Sequence, residues 1–119
     1  MRRDVFGLIF LSLFMVASIL GAVRTARADV APAGPTVQVS IFNYKFDSET
    51  VTIKAGTTVT WTNKDEIPHT VASTDKTFKG SAGLDTGDSY SYTFDKPGTY
   101  KYYCTLHPFM TGTIVVTAK

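Results

Sequence analysis

The sequence predicts an all-β sandwich, and three observations carry that prediction. Apolar residues recur at every second position in several short runs, as strands with one buried face require. Gly, Pro and Asp stand between those runs, where tight turns need them. After the linker that ends at Pro35, no segment holds a 3.6-residue apolar spacing over a useful length, so helices are not expected.

Val37, Val39 and Ile41 alternate in the first strand. Phe42, Tyr44 and Phe46 continue on the opposite parity, and the slip at Ile41-Phe42 predicts a bulge or bend. Val51 and Ile53 follow, then a turn at Ala55-Gly56, then Val59 and Trp61 in "TTVTWTN". His69, in "EIPHTV", is placed at the start of a strand after a polar turn. Ser73 to Ser89 is rich in Gly, Thr, Ser and Asp and reads as the longest irregular region. "SYSYTF" supplies Tyr90, Tyr92 and Phe94, and "KPG" turns the chain at Lys96 to Gly98. "TYKYYC" sets Tyr100, Tyr102 and Cys104 on one face, and "GTIVVTA" makes a last, more continuously apolar strand. These runs, with turns between them, predict antiparallel pairing in a sandwich or barrel. Trp61 and most of the tyrosines and phenylalanines read as core filling, and there is no internal repeat.

Residues 1–28 have a different composition. Met1-Arg2-Arg3 is basic, Val5 to Val23 carries no charge, and Ala26-Arg27-Ala28 is a small-x-small site. That order predicts a secretory signal peptide cut after Ala28, with the protein exported to the periplasm. The apolar run of 19 residues is also just long enough to span a bilayer, so the alternative is an uncleaved anchor, residues 5–23, tethering the domain. "DVAPAGP", residues 29–35, is a flexible linker, and residues 36–119 form the domain. Removing residues 1–28 takes away four of the 12 basic residues and one of the 10 acids, leaving eight against nine, a net charge of −1. The basic balance belongs to the leader, which gives no reason to expect a nucleic-acid partner. A membrane partner follows only if the leader is retained, and the domain is expected to be a monomer.

The chain has one cysteine, which rules out an internal disulfide in an exported domain where bridges are common. A buried, inert thiol is the plainest reading of a lone cysteine, but its neighbours argue otherwise. "YYCTLHPFM" sets Cys104, His107 and Met110 at intervals of three, in the loop before the last strand. With His69 upstream they offer one thiolate, two imidazoles and one thioether. Two nitrogens and a thiolate in a plane with a weak axial methionine is the arrangement that selects blue copper. Structural zinc would ordinarily have more thiolates, or a third nitrogen or oxygen donor, in place of the thioether. A thiolate-bridged dinuclear copper centre needs two cysteines, and c-type haem needs Cys-x-x-Cys-His. A Cys–His nucleophile would leave Met110 without a role.

"PHTV" followed by "PGTYKYYCTLHPFMTGTIVV" resembles the small blue copper proteins, the cupredoxins. "VTIKAGTTVTWTNKDEIPH" is similar to the strand, turn and aromatic strand that lead to that family's first ligand. The resemblance spans Val37 to Lys119 and implies a cupredoxin-like Greek-key β-sandwich holding one copper ion on His69, Cys104, His107 and Met110. Cys-x-x-His-x-x-Met is the short ligand loop of the amicyanin type; the plastocyanin and azurin loops are longer. Tyr100 matches a family tyrosine whose hydroxyl pins a Greek-key corner. In one respect the chain departs from the pattern: Thr70 stands where amicyanin and plastocyanin have an asparagine that braces the ligand loop. Its hydroxyl can donate but reaches less far.

A fourth ligand closes the position that a catalytic metal keeps open, so the expectation is a one-electron carrier and not an enzyme. Tyr103 and Thr105 flank the thiol, so the His-Cys-His link by which copper oxidases reach a second copper site is missing. The alternative is a copper carrier or scavenger, which would want exposed, exchangeable methionines; Met110 is the only one outside the leader. The resemblance places the edge of His107 at the surface, ringed by Ile67, Pro68, Pro108 and Phe109, where redox partners dock briefly. It permits a dehydrogenase as donor and a c-type cytochrome as acceptor. Lys64, Asp65 and Glu66 are read as charges that orient such partners, and Tyr103 as a possible second electron path.

Overall fold

The computed structural model describes residues 34–119; the leader, residues 1–28, and residues 29–33 of the linker lie outside the described residues. Eight strands follow in order: β1 (Thr36–Phe42), β2 (Lys45–Phe46), β3 (Thr50–Lys54), β4 (Thr57–Asn63), β5 (Ala72–Ser73), β6 (Ser89–Phe94), β7 (Gly98–Tyr103) and β8 (Thr111–Thr117). They form two four-stranded sheets, β2-β1-β4-β6 and β3-β8-β7-β5. Among the described residues there is no helix, and none long and apolar enough to cross a membrane.

The sandwich is as the sequence predicts, but the sheets are mixed and not purely antiparallel. β1 runs parallel to β4, with Val39 opposite Trp61, and β3 runs parallel to β8, with Ile53 opposite Val116. The chain leaves the first sheet after β2, contributes β3 to the second, and returns as β4 in the direction of β1. Alternation of apolar residues is the same for either pairing direction, so the sequence could not distinguish them.

The inward parity of each strand builds one core. Val39 and Ile41 of β1, Ile53 of β3, Val59 and Trp61 of β4, Phe94 of β6, Tyr102 of β7, and Ile114 and Val116 of β8 are all buried. Trp61 lies at its centre: it stacks on Phe78 and Tyr90 and meets Phe94 and Tyr102 edge to face, with ring centres 5.4–6.4 Å apart. Such pairs each add about 0.5–1.5 kcal/mol beyond the area they bury. Phe78 and Leu84 come from the irregular stretch between β5 and β6, which is anchored by those two buried side chains. On the opposite face of β4 and β6, hydroxyls pair across the strands, Thr58 with Thr93, Thr60 with Ser91 and Thr62 with Ser89, at 2.7–2.8 Å. The Tyr100 hydroxyl donates to the carbonyl of Lys96 at 2.7 Å and so ties the β6–β7 turn to β7.

At Ile41-Phe42 the structure has no bulge. β1 pairs with β2 through Ile41–Phe46 and Phe42–Lys45, and Asn43 and Tyr44 form the two-residue turn between them. Both are left-handed, with φ of 52° and 59°, the conformation that lets a two-residue hairpin follow the strand twist. The turn separates the three aromatics that alternation had grouped: Phe46 is buried, whereas Phe42 and Tyr44 are exposed.

Candidate metal centre

Cys104 follows directly on β7 and is fully buried. Antiparallel pairing of β7 with β8 sets Tyr103 opposite Thr111, and one step further on the Cys104 N–H donates to the Met110 carbonyl at 3.1 Å. The Met110 N–H donates back to the His107 carbonyl at 2.8 Å, closing a tight loop. Sheet register therefore places the thiol and Met110 side by side. Met110 is buried and His107 is half-buried.

His69 does not begin a strand. It forms an isolated antiparallel bridge with Leu84, its N–H to the Leu84 carbonyl at 3.1 Å and the return bond at 2.7 Å. The ladder cannot extend: Pro68 has no N–H, and the Thr70 N–H points at the Cys104 sulfur, 3.4 Å away. Breaking the strand in this way turns the buried His69 ring toward the thiol.

His69 Nδ1 lies 3.7 Å and His107 Nδ1 3.8 Å from Cys104 Sγ, and the three donor atoms fall within 4.8 Å of one another. Metal bonds of about 2.0–2.3 Å at trigonal angles would set a nitrogen and a sulfur about 3.7 Å apart. The spacing therefore fits one ion between the three donors, and a soft thiolate with two imidazoles suits copper.

Four further residues support the donors; sequence reasoning raised that role only for Thr70, as a brace of shorter reach, and gave it to none of the other three. Asp65 was expected to steer partners by charge. Instead it is buried, its Oδ2 2.8 Å from His69 Nε2, and its carboxylate accepts the N–H groups of Asn43 at 2.6 Å and Tyr44 at 3.0 Å. Burial pushes its pKa up, but the Tyr44 and Asn43 amides and the His69 imidazole together hold it below the usual carboxylate value. The fully buried Asn63 organises the same loop, donating from Nδ2 to the carbonyls of Ile67 and Leu84 and accepting the Asp65 N–H. Thr70 does brace the ligand loop, through Thr105. Its Oγ1 accepts the Thr105 N–H and pairs with the Thr105 hydroxyl, both at 2.8 Å. The Asp-x-x-x-His spacing and a second threonine beside the cysteine were the available signals. Tyr44 packs against both imidazoles from the β1–β2 turn, its ring centre 5.1 Å from His107 and 5.7 Å from His69.

Of the residues expected to rim His107, Pro68, Pro108 and Phe109 are exposed and Ile67 is half-buried, and Phe109 meets the His107 ring with centres 6.0 Å apart. Leu106 and Tyr44 are also exposed, and Tyr44 meets the same ring.

A model of the cupredoxin-like domain matches residues 8–116. Amicyanin-alpha of Methylorubrum extorquens is 41% identical over 115 residues, covering 89% of this chain and 92% of that protein. Amicyanin of Paracoccus versutus is 42% identical over 99 residues, covering 76% of this chain and 70% of that one. Among solved structures, a purple cupredoxin from Nitrosopumilus maritimus superposes with a TM-score of 0.64 at 36% identity, covering 68% of this chain and 99% of that chain.

Proposed function

Because this chain belongs to the cupredoxin-like family, we infer that His69, Cys104, His107 and Met110 together hold its single copper ion and that the protein carries one electron at a time between redox partners. The observation that carries the reading is the pair of imidazole nitrogens 3.7 and 3.8 Å from one buried sulfur. Bound there, copper supplies a one-electron couple between copper(I) and copper(II). The chain's own residues supply the rest. Asp65 fixes the His69 ring, the Thr70 N–H points at the sulfur, and burial of His69, Cys104 and Met110 excludes water. Donors held this firmly change little between oxidation states, which suits electron transfer.

With a fourth donor closing the site, carriage of electrons is favoured over catalysis on a substrate. The rival reading, a copper carrier or scavenger, calls for donors that exchange readily, and three of these four are buried. Docking is assigned to the exposed Leu106, Pro108 and Phe109 around His107, an apolar patch suited to brief, weak encounters with a dehydrogenase donor and a c-type cytochrome acceptor. The same reading takes residues 1–28 as an export signal, residues 29–35 as a linker and residues 36–119 as the periplasmic domain; if residues 5–23 are retained, the carrier is tethered. Copper(II) added to the purified protein should produce an intense blue thiolate charge-transfer band. Cys104→Ser should abolish it while the sandwich stays folded. A colourless wild-type complex would end the blue-copper assignment, and an N-terminus other than Asp29 would end the cleavage assignment.

A further inference from the structure

The β1–β2 turn holds a large aromatic residue where the backbone favours glycine. A left-handed two-residue turn is made most easily with glycine at its second position, and a bulky side chain at positive φ is uncommon. Here the second residue is Tyr44, at φ 59°. It is 42% exposed, so burial of its ring does not explain its place. The turn is held by the Asp65 carboxylate, which accepts both turn amides while its Oδ2 engages His69 Nε2. The hairpin and the first histidine are thereby fixed to one group.

The Tyr44 ring meets His107 at 89° with centres 5.1 Å apart, meets His69 at 86° and 5.7 Å, and stacks on Phe109 at 28° and 6.4 Å. The two imidazoles are held differently. His69 has a carboxylate on its outer nitrogen. Among the described residues, the His107 ring has no hydrogen bond beyond Nδ1 to the sulfur, and the aromatic faces of Tyr44, His69 and Phe109 are what hold it.

We propose that Tyr44 is the positioning residue for His107, its ring setting the imidazole toward the thiol before any metal binds. Strain in the turn places that ring, and Asp65 maintains it. The role of His107 as a ligand rests on the function inferred above; its orientation in the metal-free protein does not.

Ring relaxation of both histidines is measured by NMR in the metal-free protein, and copper(I) release to a chelator in the loaded protein, for wild type, Tyr44→Phe and Tyr44→Ala. Tyr44→Ala should mobilise the His107 ring, leave His69 ordered and speed copper(I) release about tenfold, the usual scale for a residue that orients a ligand. Tyr44→Phe keeps the ring and should stay within about twofold of wild type. Should Tyr44→Ala fail to fold, Tyr44→Leu removes the aromatic face with less loss of volume and serves in its place. Unchanged His107 relaxation in the ring-deleted variant overturns the proposal, as does equal loosening of His69 or a Tyr44→Phe protein that behaves like Tyr44→Ala. Mobilised His107 with unchanged copper release would keep the positioning role and remove His107 from the ligand set.

Discussion

Asp65 and His69 are joined by a contact of 2.8 Å between Oδ2 and Nε2, on the side of the ring away from Cys104. An ionised carboxylate accepts only, so it selects the tautomer with the proton on Nε2 and leaves the Nδ1 lone pair facing the sulfur 3.7 Å away. The tautomer of His69 that turns a free Nδ1 lone pair toward the thiol is therefore selected by Asp65, four positions earlier in the same loop.

Removing that acceptor should weaken metal binding. Asp65→Ala is expected to lower copper affinity by about 10–100-fold, measured by competition with a chelator. Asp65→Asn retains a side-chain oxygen that can accept from Nε2 and should fall between the two. Wild-type affinity in Asp65→Ala would show that the sheet bridge to Leu84 alone orients the ring.

Thr70→Val tests the brace between the two ligand segments. Valine matches threonine in shape but cannot accept the Thr105 N–H or pair with its hydroxyl. Losing those hydrogen bonds at an exposed residue should cost about 0.5–1.5 kcal/mol in unfolding free energy. Hydrogen exchange at the Thr105 amide should rise more than at Ile114 in the core. Equal protection in both proteins would mean that sheet pairing alone holds the loop.

That the candidate donors would meet was legible in the sequence because Cys104, His107 and Met110 sit in one short loop whose ends are set by β7 and β8. The supporting residues were not. Asp65 lies in "NKDE", which composition cannot distinguish from a solvated turn, and only its contacts with Asn43, Tyr44 and His69 reveal its use. Tyr44 fell into an apparent alternation with Phe42 and Phe46 because a two-residue turn pairs residues of opposite parity, Ile41 with Phe46 and Phe42 with Lys45, so even positions before and after it face opposite sides. Its left-handed backbone carries no sequence signature when the residue is neither Gly nor Asn. The core was legible residue by residue, from Val39 to Val116, but the parallel pairings of β1 with β4 and β3 with β8 depend on how the chain crosses between sheets.

Met110 offers a test through the redox couple. A thioether favours copper(I) relative to a harder oxygen donor, so Met110→Gln should lower the reduction potential while the blue band persists. Cyclic voltammetry on the loaded protein reads the shift directly. An unchanged potential would remove Met110 from the ligand set.

Alkaline stability tests the centre of the core. Tyr102 is fully buried in contact with Trp61, and its ring lies so close to Gly112 that a Cβ there would overlap it. Burial pushes its phenol up to about 12; the Trp61 indole offsets part of that push, although the pair falls outside hydrogen-bonding geometry and neither polar atom has a partner. In the unfolded chain a tyrosine titrates near pH ~10. Below that pH both states hold the proton and the stabilisation is fully present. Above it the unfolded state ionises first, so stability falls as pH rises toward 12, by about 2–3 kcal/mol for this one group. Tyr102→Phe cannot ionise and should show a shallower decline between pH ~10 and ~12 in denaturant titrations of the metal-free protein. The Tyr90 phenol, also pushed up by burial, is present in both proteins and cancels in the comparison. At neutral pH the substitution should change stability little, because a hydroxyl with no partner is removed from an apolar site. Identical alkaline slopes for the two proteins would show that water or a rearranged Trp61 reaches the phenolate, and Tyr102 would not be the group that limits the fold at high pH.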